Sequence, residues 1–289
     1  MLSASYQSFI DDIKKSVDPK RIYTDPLRTF AYGTDASFYR FVPKVIVRAF
    51  NEAELREILA ASARHKVPVT FRAAGTSLSG QASTDSVLVL VSEGWEKYEV
   101  LDGGKIIRSQ AGIVGARLNQ ILKPFGRKIG PDPASVGSAM IGGIVANNAS
   151  GMNGTNENSY RTLRSIRIIL ADGTVLDTGS HVSREEFLHT HRDFIAKIIA
   201  IRDAIRANKP LAERILKKYS IKNTTGLSID PFVHFDDPFD IITHLMVGSE
   251  GTLAFISEVE MDTLPLIPYK ASAMLYFGNI VDACKAVQN

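Results

Sequence analysis

Hydrophobic residues in the first third of the chain change several times from a helical to a strand-like spacing. Residues 5–17 carry apolar side chains four apart, which predicts a short amphipathic helix. The runs PKVIVRAF (43–50), VPVTFR (67–72) and SVLVLV (86–91) predict strands. NEAELREILAASARHK (51–66) lies between the first two and predicts a helix that follows a capping asparagine. Strand, helix and strand in this order indicate a small α/β unit with a crossover connection.

The middle of the chain shows hairpin and helix patterns separated by glycine turns. Aspartate–glycine turns at 102–104 and 172–173 predict two hairpins. Residues 113–126 predict a helix, and residues 185–208 predict a long helix with apolar residues near one face. The segment THLMVGSEGTLAFISEVEMDTLPL (243–266) predicts one more glycine turn and another strand pair. These patterns together favour a mixed α+β chain.

The last twenty or so residues form a pattern of their own. YKASAMLYFG (269–278) predicts a strand, and NIVDACKAVQ (279–288) predicts the start of a helix. A strand and one helical stretch cannot bury themselves as a domain, so we expect the chain to be a fragment of a longer protein. The boundary would lie in the Pro-Leu-Ile-Pro segment 265–268. The alternative that the sequence leaves open is a tail that packs on the preceding module.

Composition and charge exclude several classes of protein. A chain of 289 residues is long enough for roughly two compact domains. Its net charge of +3 is spread without a block of basic residues, which argues against nucleic-acid binding. The single cysteine, Cys284, cannot close an intramolecular disulfide or build a metal site, which favours a reducing compartment. Without a signal peptide or an apolar run of membrane-spanning length, we expect a cytoplasmic protein; peripheral contact with the inner face of a membrane stays open.

The stretch RAAGTSLSGQA (72–82) has the spacing of a phosphate-binding loop. Gly75 and Gly80 lie as far apart as the glycines of an ATP-binding loop, but Gln81 and Ala82 replace the lysine and the hydroxyl that such a loop needs. Phosphoryl transfer is therefore disfavoured. The glycines and small hydroxyl residues would instead form a concavity for a phosphate that stays intact, unless the stretch is an ordinary turn. Further strand follows it rather than a helix, so it does not fit a Rossmann unit.

Two other stretches are also rich in glycine, and one ligand could contact them together with this loop. They are GPDPASVGSAMIGGIVANNASG (130–151) and VGSEGTLAFISEV (247–259). In the first of them, Gly142–Gly143 interrupts an apolar run, so the backbone there can approach a ligand closely. Asn147–Asn148 adds amide donors and acceptors. A long ligand that is part apolar and part anionic, such as a dinucleotide, could use all three stretches, and we expect it to lie on loops.

At this level of detail the chain resembles the FAD-binding domain of the PCMH type, also called the vanillyl-alcohol oxidase type, over about residues 40–265. RAAGTSLSGQA resembles the pyrophosphate loop of that family, and QAGIVGARLNQIL (110–122) resembles its next helix. The two other glycine-bearing stretches match its remaining flavin-binding segments. Within the family the chain is most similar to FAD-linked D-2-hydroxyacid dehydrogenases, the group that includes D-lactate dehydrogenase and glycolate oxidase. The long bacterial form with a C-terminal iron–sulfur region is the expected subgroup.

The resemblance implies a domain organisation. The fold class is α+β, with an FAD-binding PCMH-type fold of two α/β subdomains followed by the start of a cap domain. Residues 1–39 would form an N-terminal helix and lead-in. The subdomains would cover about residues 40–95 and 96–265, and residues 266–289 would begin an incomplete substrate or cap domain.

The resemblance also implies three groups of FAD-binding residues. The diphosphate would be bound through backbone amides and hydroxyls by Arg72, Ala74, Gly75, Thr76, Ser77, Leu78, Ser79 and Gly80. The adenosine half and the wall near the flavin ring would be lined by Pro131, Asp132, Gly137, Ser138, Ile141, Gly142, Gly143, Asn147, Asn148 and Gly151. The ribityl chain or the adenine would contact Glu250, Gly251 and Ile256. No His or Cys occurs in the 72–82 loop and Cys284 lies outside the matched module, so the FAD is expected to be held non-covalently.

The implied reaction is the oxidation of a D-2-hydroxy acid, such as D-lactate, glycolate or D-2-hydroxyglutarate, by hydride transfer to flavin N5. The catalytic base, the arginine that binds the carboxylate and any iron–sulfur cluster are expected past Asn289, so no catalytic or metal-binding residue is assigned and the fragment alone is expected to be inactive. The electron acceptor, a quinone or another redox protein, stays open. The alternatives are a non-catalytic flavin-binding or electron-transfer module, an enzyme like UDP-N-acetylenolpyruvoylglucosamine reductase, and a flavin-free α/β protein.

Overall fold

The computed structural model describes residues 2–151, 157–221, 223, 226–269 and 271–288, which fold into two sheets with helices packed on them. The helices are α1 Ala4–Ile13, α2 Pro26–Ala31, α3 Glu52–His65, α4 Gly115–Leu122, α5 Ile141–Asn147, α6 Ser159–Thr162, α7 His181–Thr190, α8 Arg192–Ala207, α9 Lys209–Tyr219, α10 Pro231–His234, α11 Pro238–Leu245 and α12 Ile280–Val287. The strands are β1 Ile22–Tyr23, β2 Val45–Arg48, β3 Val69–Arg72, β4 Val87–Leu90, β5 Tyr98–Leu101, β6 Ile106–Gln110, β7 Arg127–Ile129, β8 Leu163–Ile169, β9 Val175–Asp177 and β10 Phe255–Pro265.

Among the described residues, the first sheet has four strands in the order β1-β2-β4-β3. β4 pairs in parallel with both β2 and β3, and α3 makes the crossover from β2 to β3, which confirms the predicted α/β unit. The side chain of Asn51 accepts a hydrogen bond from the backbone N–H of Glu54, so α3 begins as predicted. Leu55 and Ile58 of α3 are fully buried in the core of this sheet.

α1 packs on α3 and closes the same core. Phe9, Ile10 and Ile13 are buried. The predicted helix over 5–17 is wrong in its C-terminal part, because the helix ends at Ile13. The backbone N–H of Val17 still bonds to the carbonyl of Ile13, so the following turn brings Val17 into the core without continuing the helix.

The second sheet, again within the described ranges, has the order β5-β6-β10-β8-β9, and β7 pairs with the last residues of β10. Its strands are antiparallel, and the hairpins predicted at 102–104 and 172–173 are confirmed. The strand pair predicted over 243–266 is wrong. Its first part belongs to α11, which Asp237 caps and Pro238 begins, and its last part is the single long strand β10 at the centre of the sheet.

The long helix predicted over 185–208 is also wrong, because α7 and α8 meet at His191. This residue has φ −127° and ψ 38°, outside the helical region, and its ring stacks on Phe187 at 4.3 Å between centroids. Ile195 and Ile198 are the buried residues of α8, whereas Ile201 faces solvent. The break therefore changes which residues reach the core.

The C-terminal tail differs from its prediction in one element. α12 is present, but residues 271–277 form no strand and are exposed. Their apolar spacing predicted a strand, and in the described part of the chain no neighbouring strand pairs with them. None of the helices in the described ranges is long and apolar enough to cross a lipid bilayer.

The two sheets share a hydrophobic contact that fixes their relative position. Phe255, at the start of β10, lies 5.0 Å from the ring of Phe71 and 5.1 Å from that of Trp95. Phe71 belongs to β3 of the first sheet, so this cluster ties the end of the first sheet to the centre of the second. The indole N–H of Trp95 donates to the carbonyl of Ala49 at 2.7 Å. The cluster lies beside the main cavity of the molecule.

Candidate functional site

A cavity of about 420 Å³ opens where the two sheets meet. This volume is in the usual range for a small-molecule or cofactor site. The three glycine-bearing stretches converge on it: the loop after β3, the start of α5 and the turn before β10. The predicted residues that line the cavity are Arg72, Ala74, Gly75, Thr76, Ser77, Leu78, Ser79, Gly142, Gly143, Asn147, Glu250, Gly251 and Ile256.

Other residues of the predicted set lie outside the cavity wall: Gly80, Pro131, Asp132, Gly137, Ser138, Ile141, Asn148 and Gly151. Several of them have structural roles. Ile141 is fully buried in the core of the second sheet, and Asn148 ends α5. Gly80 packs on Tyr39, because a Cβ there would lie 2.7 Å from the Tyr39 ring. Cofactor contacts by these eight residues stay a prediction.

Unpaired backbone amides make the cavity wall suitable for an anion. In the described part of the chain, the N–H groups of residues 73–78 donate to no protein acceptor, and neither do those of Gly143 and Gly251. Gly75 (φ +68°) and Gly251 (φ +74°) have left-handed backbone conformations that favour glycine. A run of free N–H groups in such a loop forms a concavity for negatively charged oxygens. Since the donors come from three segments, they suit a ligand with a long anionic part.

One of the segments on which a dinucleotide was expected to lie is not a loop, since Gly142–Gly143 forms the first turn of α5; the position of the dinucleotide stays a prediction. Gly142 faces inward: its N–H donates to the carbonyl of Ala111, and a Cβ would lie 2.6 Å from the Ala111 Cβ. Gly143 faces the cavity: the nearest atom to its Cβ position, within 4 Å, is Ala73 Cβ at 3.8 Å. One glycine therefore permits close packing, and the other leaves room for a ligand.

The guanidinium of Arg72 holds the glycine loop in place. It is 6% exposed, and its Nε donates to the carbonyl of Ala82 at the far end of the loop. Its Nη1 donates to the carbonyls of Tyr32 and Thr34 at 3.0 and 3.1 Å. The backbone N–H of Ala36 adds a bond to the carbonyl of Gly75. The segment before β2, at residues 32–36, therefore supports the glycine loop. The sequence did not predict this contact, because backbone carbonyls accept hydrogen bonds whatever the side chain is.

Glu250 joins the three segments. Its Oε1 accepts from Gln81 Nε2 of the loop at 3.2 Å and from Asn147 Nδ2 of α5 at 2.6 Å. Its backbone N–H donates to the carbonyl of Ala146, so the turn also caps α5. Burial raises the pKa of this carboxyl above its ordinary value, although the two amide donors oppose the shift. Glu250 therefore takes up a proton more readily than an ordinary carboxyl does.

We expect Glu250→Gln to change stability in a pH-dependent way. The folded state holds the Glu250 proton more tightly than the unfolded chain, so the contribution of this residue to the free energy of unfolding is greatest below the ordinary carboxyl pKa and falls as pH rises through the raised pKa. Glutamine keeps the acceptor for Gln81 and Asn147 and does not titrate. The Tm of the variant should match that of the wild type at about pH 4 and exceed it by a few degrees at about pH 8.

Thermal unfolding followed by circular dichroism across this pH range checks the expectation. Glu186→Gln, which changes an exposed carboxylate on α7, is the matched control and should give no such pH-dependent difference. A Tm difference for Glu250→Gln that stayed constant with pH would show that the carboxyl is not destabilised by burial.

Sequence reasoning missed several residues of the cavity wall. Gln81 entered the sequence analysis only as the residue at the lysine position of an ATP-binding loop. In the structure its Nε2 donates to Glu250 Oε1, and its Oε1 accepts a hydrogen bond from Ser77 Oγ. Phe71 and Phe255 line the cavity from the inter-sheet cluster, and Met140 lines it just before α5. A long-range contact such as Gln81–Glu250 leaves no local pattern that could have predicted it.

Two arginines of β8 are ion-paired and lie outside the cavity wall. Arg164 pairs with Asp262 at 2.9 Å and Arg167 with Glu52 at 2.7 Å. Of the described residues that line the cavity, none is His or Cys, the residues that could attach a flavin covalently. No group of three or more His, Cys, Asp or Glu in the described ranges could hold a metal ion.

Comparison with known proteins gives a similarity for this region. Residues 43–179 match the family described as FAD binding domain, and this stretch includes the loop and α5. The fold is of the FAD-binding PCMH type. A solved structure of alkyldihydroxyacetonephosphate synthase is similar with a TM-score of 0.62 and 16% identity, over 91% of this chain and 41% of that one.

Curated relatives give the nearer likeness. D-2-hydroxyglutarate dehydrogenase of Escherichia coli K12 is 30% identical over 85% of this chain and 24% of its own length. D-lactate dehydrogenase of Archaeoglobus fulgidus is 25% identical over 84% of this chain and 44% of its own length. The chain therefore spans about a quarter of the first of these relatives and less than half of the second.

Proposed function

We propose that this chain is the cofactor-binding part of an FAD-dependent oxidoreductase whose full-length form oxidises a D-2-hydroxy acid. The observation that carries the proposal is the convergence of unpaired backbone N–H groups from residues 73–78, Gly143 and Gly251 on one cavity between the sheets. The relatives named D-2-hydroxyglutarate dehydrogenase and D-lactate dehydrogenase support the substrate class. FAD, when bound, would supply the acceptor for the hydride that leaves the carbon bearing the hydroxyl.

The chain's own residues would bind and orient the cofactor. The amides of the 73–78 loop would hold the diphosphate, with Arg72 supporting the loop through Nε and Nη1 and offering its unpaired Nη2 as a further donor. Gly143 would let a flat group approach α5, and the apolar wall around Phe71 would exclude water from one side. Glu250 would fix the loop, α5 and the turn relative to one another through its bonds to Gln81 and Asn147. We propose non-covalent binding, since the cavity wall in the described ranges offers no His or Cys.

Titration calorimetry of the purified chain with FAD tests the proposal. We expect saturable binding to FAD, competition by ADP, and release of flavin absorbance on denaturation. FMN, which lacks the adenosine half and the second phosphate, should bind at least about tenfold more weakly, a difference on the order of 1.4 kcal/mol. A folded chain that took up no FAD would refute the proposal, and equal affinity for FMN would refute the extended binding mode.

Anaerobic mixing of the FAD-loaded chain with D-2-hydroxyglutarate, D-lactate and glycolate tests the reaction. We expect the full-length protein to bleach the flavin with one of these acids and the present chain to leave it oxidised. Bleaching by NADPH but by no hydroxy acid would favour an enzyme like UDP-N-acetylenolpyruvoylglucosamine reductase. Bleaching by neither would favour an electron-transfer module.

A further inference from the structure

Glu250 carries the only carboxyl group in the wall of the main cavity, as far as the described residues line it. The other titratable side chain of that wall is Arg72, which stays protonated. The three segments that meet at Glu250, which are residues 73–82, α5 and residues 248–256, contain no other charged residue. A change in protonation within this wall between about pH 5 and pH 9 therefore falls on Glu250.

The carboxyl group of Glu250 has no cationic partner. In the described part of the chain it forms no ion pair, and its two hydrogen bonds, from Gln81 Nε2 at 3.2 Å and Asn147 Nδ2 at 2.6 Å, both reach Oε1. A neutral amide stabilises a carboxylate less than a cation does. The burial of the side chain is therefore only partly offset, and the pKa of Glu250 lies above its ordinary value in the chain alone.

The backbone holds this carboxyl group in place. Glu250 has φ +54°, a left-handed conformation that residues other than glycine rarely adopt, and Gly248 and Gly251 beside it are also left-handed. The N–H of Glu250 donates to the carbonyl of Ala146 at 2.8 Å, which fixes the turn on α5. Since backbone and side chain are both bonded to neighbouring segments, the carboxyl group cannot turn away from negative charge in the cavity without breaking these bonds.

A second carboxyl group lies behind the glycine loop. The Cβ of Asp35 lies 3.5 Å from the Cβ position of Gly75. Burial favours the protonated form of Asp35, but hydrogen bonds from Ser37 and Ser83 and the positive charge of Arg72 outweigh it and lower the pKa of Asp35 below its ordinary value. The pKa values of the two carboxyl groups are thus shifted in opposite directions, and Asp35 stays ionised where Glu250 titrates.

We propose that the binding of FAD is coupled to the uptake of a proton by Glu250, so that the chain holds its cofactor more tightly in acid than in neutral solution. The coupling rests on the proposed function. A diphosphate on residues 73–78 would add negative charge to the loop whose Gln81 bonds Glu250, and the ligand would displace water from the carboxyl group. Both effects favour the neutral acid. The proton comes from solvent, and the acid keeps an oxygen that accepts from Gln81 and Asn147.

Titration calorimetry with FAD in buffers of different ionisation enthalpy counts the protons taken up. We expect the measured enthalpy to change linearly with the ionisation enthalpy of the buffer, with a slope of about 0.3–1 proton at the pH where affinity changes most steeply. The bound state holds the proton more tightly than the free state, so affinity is greatest below the pKa of the free state and falls as pH rises through that of the bound state. Between about pH 5 and pH 8.5 the Kd should rise at least about tenfold, which corresponds to a pKa difference of about one unit.

Two variants assign the proton. Glu250→Gln keeps an acceptor oxygen without the titratable group, so it should bind FAD with no proton uptake and with an affinity that is independent of pH over this range. Glu186→Gln changes an exposed carboxylate on α7 and should behave as the wild type does. The buffer dependence of the wild type is measured independently of how well either variant folds.

The outcomes separate this proposal from the proposed function. Saturable FAD binding without proton uptake, or with proton release, would overturn the coupling and leave the cofactor site standing. Uptake that persists in Glu250→Gln would place the proton on another group and would also overturn the coupling. A folded chain that bound no FAD at any of these pH values would refute the proposed function and the coupling with it.

Discussion

Gly143→Leu should abolish FAD binding without harming the fold. A Cβ at this position meets only Ala73 Cβ at 3.8 Å, and the rest of a leucine side chain would extend into the cavity. We expect affinity for FAD to fall at least about 100-fold, on the order of 3 kcal/mol. The free energy of unfolding should stay the same or rise by about 0.5–1 kcal/mol, because glycine in a helix is unfavourable. Calorimetry with FAD and urea unfolding of the cofactor-free chain measure the two effects.

The adjacent glycine provides the matched contrast. Gly142→Ala adds one methyl group at 2.6 Å from Ala111 Cβ, so it should lower the free energy of unfolding by about 1–3 kcal/mol through overpacking. Gly143→Ala should leave stability intact and weaken FAD binding less than leucine does. If Gly143→Leu bound FAD as the wild type does, the cavity would not be the cofactor site. If it unfolded the chain, the position would not face open space as the structure shows.

These two glycines illustrate which features of the site could be predicted from the sequence. A glycine pair in an apolar run signals close approach of the backbone, and that signal is local. Whether each glycine approaches protein or ligand depends on Ala111 and Ala73, which belong to other segments. The loop after β3 was predicted from the spacing of its glycines, and Gly75 does adopt the left-handed backbone that glycine permits.

Elements with local determinants were predicted, and those with tertiary determinants were not. The cap at Asn51 and the aspartate–glycine turns fix α3 and two hairpins through neighbouring residues alone. No glycine or proline lies next to His191, so the sequence contains no local signal for the break between α7 and α8. It coincides with stacking on Phe187 and with a contact of the ring to Thr174 in the β8–β9 turn, which only the folded chain brings near. The exposed segment 271–277 shows the converse, an apolar pattern that finds no partner strand in the described structure.

The support of the glycine loop was the least predictable part of the site. The family resemblance implied that Arg72 belongs to the diphosphate-binding group. In the structure its guanidinium donates to backbone carbonyls at the far end of the loop and in the lead-in. The burial of Arg72 lowers its pKa, with the nearby Asp35 opposing the shift. Its Nε and Nη1 therefore support the loop, whereas its buried Nη2 has no partner in the protein and, like the loop amides, is available to a ligand in the cavity.

Arg72→Lys should consequently reduce stability and FAD affinity together. Lysine keeps the charge but cannot reach the carbonyls of Ala82, Tyr32 and Thr34 at once, because it lacks the planar fork of arginine. We expect the free energy of unfolding to fall by about 1–3 kcal/mol, because at least two of these part-buried hydrogen bonds are lost. FAD affinity should fall at least about tenfold because the loop is no longer pre-organised.

Arg108→Lys is the control. Arg108 is half-exposed and ion-paired with Glu260 on the second sheet. This variant should change the free energy of unfolding by less than about 1 kcal/mol and leave FAD binding unchanged. A loss of affinity without a loss of stability in Arg72→Lys would instead make Arg72 a direct ligand of the diphosphate, and no change in either quantity would show that the loop holds its shape without the arginine.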